Sequence, residues 1–158
     1  MSDTAFTITA GLLGLGTGVF VVLSLIEKPV WSLMWAPQSP RVPDAEARAV
    51  HAVLKRVIHL LPPIMMTTMA AASASMIALV VLSGASLGSL ALATLFFFQL
   101  ALIVARLRHD IRGVDGVASD GEARLVRAGL GQLALLHHRG LLMTGGTLVA
   151  LLVLRAFA

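Results

Sequence analysis

Six residues of this chain could do chemistry together: Glu27, His59, Arg106 and the run His137-His138-Arg139. Each stands at the border of an apolar stretch. Glu27 closes the first, His59 lies about one helical turn before the second, Arg106 follows the third, and the His-His-Arg run opens the fourth. An imidazole titrates near neutral pH and can act as a general base, a guanidinium can hold a developing oxyanion, and a carboxylate can orient an imidazole. The chemistry these types share is removal of a proton from a weakly acidic hydroxyl. His59 or His138 is the expected base, Glu27 the orienting group, and Arg139 or Arg106 the oxyanion partner. His51, Lys55 and His59 recur at i, i+4 and i+8, so they share one helix face. His51, Arg106, His137 and Trp31 complete the expected pocket.

The elements that must position these groups are membrane helices. The 158 residues are 58% hydrophobic and 13% charged, too apolar for a water-soluble globule. Four stretches, at about 5–26, 64–82, 87–105 and 137–157, can each cross the roughly 30 Å of hydrocarbon in a bilayer. The expectation is an all-α, antiparallel four-helix transmembrane bundle forming a single domain, 1–158, with helical extensions on the cytoplasmic side. In up-down order, the six residues fall at one depth.

Charge sets the expected orientation. Eleven of the twelve Lys and Arg residues and all five histidines fall on the two connections at one end, and only Arg155 falls at the other. The positive-inside rule puts those connections in the cytoplasm and both termini outside, in the cell (inner) membrane. The first apolar stretch is read as a permanent helix rather than a cleaved signal, because its basic residues come after it. Basicity is then a matter of orientation and contact with anionic lipid, and no nucleic-acid partner is expected. With no cysteine, thiol chemistry and disulfides are excluded.

Local signals fill in the connections. Pro37, Pro40 and Pro43 prevent a continuous helix after Trp31, Asp44 is the expected N-cap of the next one, and Pro62-Pro63 is expected to interrupt it. Residues 108–121 read as a surface loop, and a helix is expected from Glu122 onward. Two ladders of small residues, Ala10, Gly14, Gly18 and Ala70, Ala74, Ala78, are expected to pack inside the bundle, although contact in a homo-oligomer stays open. Trp31 and Trp35 suit an interfacial anchor or the roof of a pocket for a flat ligand.

The stretch from Gly14 to Pro29, GLGTGVFVVLSLIEKP, resembles the first helix of the anthrone-oxygenase-like family of small four-helix membrane proteins, many of them of unknown function. That family's glycine-rich first helix ends in Glu-x-Pro, here Glu27-Lys28-Pro29, and its last helix opens with a His and an Arg, as in His137-His138-Arg139. The resemblance implies oxidation of a fused-ring phenolic substrate without metal or flavin. The leading expectation is therefore an oxidoreductase or oxygenase-like membrane protein, with no cofactor, acting on a lipid-soluble aromatic or quinone-like molecule. Two alternatives remain. His51, His59, His137 and His138 could bind haem or copper, with Met65, Met66 or Met69 assisting copper, although no metal-spacing motif is present. A non-catalytic membrane subunit or small transporter component is the other, with Gln99 as its one strong mid-membrane polar residue and a helix-to-helix hydrogen bond as that residue's simplest role.

Overall fold

A computed structural model describes residues 3–157; Met1, Ser2 and Ala158, the extreme ends of the domain read from the sequence, lie outside the described residues. Four helices follow one another: α1 (Asp3–Glu27), α2 (Asp44–Leu82), α3 (Leu87–Asp115) and α4 (Ala123–Ala156), with a short 3-10 helix, Lys28–Met34, directly after α1. All four are long and apolar enough to cross a membrane, and no strand occurs among the described residues. The chain is an all-α four-helix bundle of the integral membrane kind.

Helix length explains the shape. At 1.5 Å per residue the 39 residues of α2 extend roughly 58 Å, about twice a bilayer's hydrocarbon. The surplus projects from the charged end and builds a second core. One core, within the apolar spans, gathers Leu13, Met69, Met76, Leu79, Phe96, Met143 and Leu151. The other joins Val30 and Leu33 of the 3-10 helix to Val50 and Leu54 of α2, Val114 of α3, and Val126 and Leu130 of α4. Both are held by close-packed apolar side chains, but only the second can gain from expulsion of water.

Several sequence expectations are corrected. Helix α2 runs unbroken through Pro62-Pro63. A proline ring fixes φ at a helical value, but it removes the amide hydrogen and crowds the carbonyl four residues earlier; the carbonyls of Ile58 and His59 therefore lose their helical partners while the helix continues. Helix α3 extends to Asp115, not into a loop at residue 108, because Ile103, Leu107, Ile111 and Val114 recur at helical spacing and pack on the second core. Asp44 is the first residue of α2 rather than its cap, which is Pro43, and its carboxylate pairs with Arg127 at 2.8 Å. The second ladder faces outward, since Ala70, Ala74 and Ala78 are exposed while Ala72 is buried; in the first, Ala10 packs on the apolar core, whereas Gly14 and Gly18 have no atom within 4 Å of an added Cβ and line a groove beside α2.

Close helix approach instead uses other glycines. A Cβ on Gly140 would strike the Phe20 ring, and one on Gly131 would strike the Leu33 carbonyl, both nearer than real Cβ contacts come. The second case is the stiffer, since backbone cannot rotate aside. Gly131→Ala is therefore expected to lower stability by about 1–3 kcal/mol, despite alanine's better helix propensity. Gly146→Ala, on the same helix with nothing within 4 Å, is expected to be neutral or stabilising. Thermal unfolding of both variants in detergent checks this, and equal melting temperatures would refute it.

Candidate functional site

The buried face of α1 reads Leu13, Gly16, Phe20, Leu23, Glu27. Steps of three and four residues carry this apolar seam straight into a carboxylate. On α4 the matching seam reads Leu133, Leu136, Gly140, Met143, with His137 beside it. Packing seam on seam brings Glu27 to His137, whose Nδ1–H donates to Glu27 Oε1 at 2.6 Å. Glu27 is fully buried and the His137 side chain is only 12% exposed, so the pair is shielded from bulk solvent. The second carboxylate oxygen, Oε2, has no hydrogen-bond partner among the described residues.

A cavity of about 260 Å³ opens beside this pair. It lies where the two cores meet, at the level of Pro62, with Phe20 and Leu23 on one side, Met65 and Met69 above, and Leu133 and Leu136 behind. His137 is the one titratable residue in its lining. The only other polar lining residue, Ser73, spends its hydroxyl on the Met69 carbonyl of its own helix. With Nδ1 committed to Glu27, the ring presents Nε2, which makes no hydrogen bond to a described residue and is not among the fully sealed polar atoms. A carboxylate behind an imidazole fixes the tautomer with its lone pair on Nε2 and stabilises the imidazolium once a proton arrives.

His138, preferred from sequence as a base, faces elsewhere. Its Nδ1–H donates to the Ala134 carbonyl at 2.9 Å, and its Nε2 accepts from the Ser24 hydroxyl at 3.3 Å. Trp31 packs edge-on against it, with centroids 5.2 Å apart, and donates its indole N–H to the Ser24 carbonyl. Trp31, Ser24 and His138 thus clamp the 3-10 helix onto α1 and α4, with both imidazole nitrogens used. Trp31 does not line the cavity.

The remaining expected site residues are not brought to the pair. His59 is exposed and sits 3.2 Å from Asp115 of α3. Arg106 and Arg139 are exposed and make no ion pair with a described residue. His51 is fully buried within the projecting core, where Nε2–H donates to the Val114 carbonyl at 3.1 Å and Nδ1 accepts from Ser119 at 2.9 Å. The four histidines considered for haem or copper therefore do not share a centre, and no group of three or more His, Asp or Glu with metal-site geometry occurs among the described residues. Gln99 is half-buried and makes no side-chain hydrogen bond to a described residue, so the helix-to-helix bond expected of it is not formed. Two residues that sequence reasoning passed over are prominent here. Ser24 lies on the α1 seam, four residues after Phe20. Arg127 donates to the carbonyls of Pro37, Ser39 and Val42 as well as to Asp44, and so holds the connection before α2.

Compared with protein-family models, curated proteins and solved structures, the chain finds no match.

Burial lowers the His51 pKa below its ordinary 6.5, and the positive Lys55 one turn away lowers it further, against the opposing pull of the Val114 carbonyl. Above pH 6.5 both folded and unfolded chains carry a neutral ring, and the contribution of His51 is complete. Below it the unfolded chain takes the proton first, so stability falls until the pH has passed through the lowered folded value. Wild-type protein is expected to lose more stability than His51→Gln between pH 7.5 and 5, because glutamine can keep both contacts without titrating. Parallel melting curves across that range would show that His51 contributes no pH dependence.

Proposed function

We propose that this is an integral membrane protein of oxidoreductase or oxygenase type, which binds a lipid-soluble hydroxylated aromatic or quinone-like molecule in the cavity and uses His137 as its base. The observation that carries the reading is a single imidazole facing an otherwise apolar cavity with a buried carboxylate behind it. An apolar ligand would be held by the Leu, Met and Phe walls, and its hydroxyl would have one polar partner, His137 Nε2. Proton transfer gives an aryl oxide and an imidazolium in contact. In a site of low dielectric the two charges attract strongly but are costly to create, and Glu27 offsets part of that cost by accepting from Nδ1–H of the imidazolium. The imidazolium itself then does the work first expected of Arg106 or Arg139. The aryl oxide is electron-rich and reacts with dioxygen far more readily than the neutral phenol, so no metal or flavin is required by the scheme.

Two further considerations support the reading. The resemblance to the anthrone-oxygenase-like family rests on Glu27-Lys28-Pro29 and on the His-His-Arg run, and the dyad is formed from those two motifs. The one-sided basic residues orient the chain with both termini outside and the charged end in the cytoplasm of the cell (inner) membrane, which puts the dyad at the cytoplasmic edge.

Oxygen uptake and product absorbance in reconstituted vesicles, supplied with a panel of fused-ring phenols, test the proposal. His137→Gln is expected to reduce turnover by about 10²-fold or more. Glu27→Gln should reduce it less, because an amide oxygen still orients the ring. His59→Ala and Arg106→Ala should leave it unchanged. Full turnover in a folded His137→Gln variant would remove the base and the reading with it.

A further inference from the structure

The cavity's size and the position of its mouth specify the ligand more closely, on the reading that His137 takes a hydroxyl proton there. Two of the residues lining the cavity are also exposed on the bundle surface: Met66 of α2, at 64%, and Val104 of α3, at 58%. Ala70, one turn above Met66, is likewise both lining and exposed. The mouth therefore lies between α2 and α3. Met66 stands near the start of the second apolar stretch and Val104 near the end of the third, so this mouth faces hydrocarbon just inside the bilayer edge. Opposite it, the wall made by Leu23, Leu133 and Leu136 is buried, each residue no more than 3% exposed. Volume sets the other limit. An apolar cavity of about 150 Å³ takes one benzene ring, so about 260 Å³ accommodates two fused rings, and a third would extend into the mouth.

We infer that the ligand is a two-ring hydroxyaromatic of the naphthol or naphthoquinol class, which enters from the bilayer between α2 and α3 with its hydroxyl leading to His137 and any alkyl substituent trailing through the Met66–Val104 mouth into lipid. A molecule with a single polar end and an apolar tail fits this path. Its tail need never leave hydrocarbon, and its hydroxyl meets the only titratable group in the lining. Entry from water is disfavoured, because Arg48, His51, Lys55 and Arg127 of the charged end donate to backbone carbonyls and none of them lines the cavity.

The test uses full-length protein in phosphatidylcholine vesicles with phenol, 2-naphthol and 2-anthrol as probes, each corrected for partition into empty vesicles. Neutral 2-naphthol and its anion absorb at different wavelengths, so absorption in the same titration reports binding and ground-state proton transfer. The expected result is at least ten-fold tighter binding of 2-naphthol than of either other probe, further tightening for 6-octyl-2-naphthol, and loss of the anion signal in His137→Gln. Val104→Trp should slow association at least ten-fold, whereas Leu102→Trp, exposed on the same helix but not lining the cavity, should not. Val104→Ala, which widens the mouth without adding bulk, should associate at least as fast as wild type. Preference for one or three rings, or unchanged association in Val104→Trp, with the anion signal still dependent on His137, overturns the two-ring, bilayer-entry inference and leaves the base assignment standing. An anion signal that persists without His137, or no binding of any probe, overturns both.

Discussion

A carboxylate sealed inside an apolar junction is the constraint around which this bundle is arranged. Removing an ionised carboxyl group from water is so unfavourable that it persists only with a close hydrogen-bonding partner. Glu27 has one, His137, and the pair fixes how the last turn of α1 meets the entry of α4. Gly140 allows this by letting the Phe20 ring lie against the α4 backbone. Ser24, Trp31 and His138 secure the same junction from the side. At this junction one carboxylate oxygen has no hydrogen-bond partner among the described residues, and His137 lines an apolar space. Incomplete satisfaction of buried polar groups is rare in folded proteins and concentrates where they serve binding or catalysis.

The projecting end puts its nitrogen donors to a second use. Arg48, His51 and Lys55, spaced three and four residues apart on α2, donate to the carbonyls of Gly121, Val114 and Val117. Those carbonyls belong to the last turn of α3 and the loop after it, where a helix leaves its final acceptors unpaired and its dipole is negative. Arg127 does the same for the proline-rich connection. Arg48, Lys55 and Arg127 are thus spent on backbone acceptors, while Lys28, Arg41, Arg56, Arg106, Arg108, Arg112 and Arg139 are exposed and suit contact with lipid headgroups.

The apolar spans, their antiparallel order and the level shared by Glu27 and His137 were legible because hydropathy and charge are properties of segments. The extent of α3 was misread at Gly113 and Asp115, where turn-forming residues masked the Ile103, Leu107, Ile111, Val114 stripe. Choice among the imidazoles was the harder matter. His137 and His138 are neighbours, and sequence favours His138 as the base, but one residue of helix turns the ring by about 100°, and it is His137 that meets Glu27. The seam spacing, His137 four residues after Leu133 and three before Gly140, held the answer once the buried face of α4 was known. His59 and His51 share a face, as their spacing required, yet that face meets the carbonyls and Asp115 of α3 rather than α1.

By itself, the sequence determined that this chain is a four-helix membrane protein and where along each helix its reactive groups stand, since helical pitch and bilayer thickness convert residue counts into depth. Tertiary structure alone decided direction: which imidazole meets Glu27, which arginines remain outside, that the alanine ladder of α2 faces outward, and that a cavity opens beside Pro62. Depth follows from distance along one helix, whereas direction depends on how four helices rotate to bury their seams together, and no single helix contains that information.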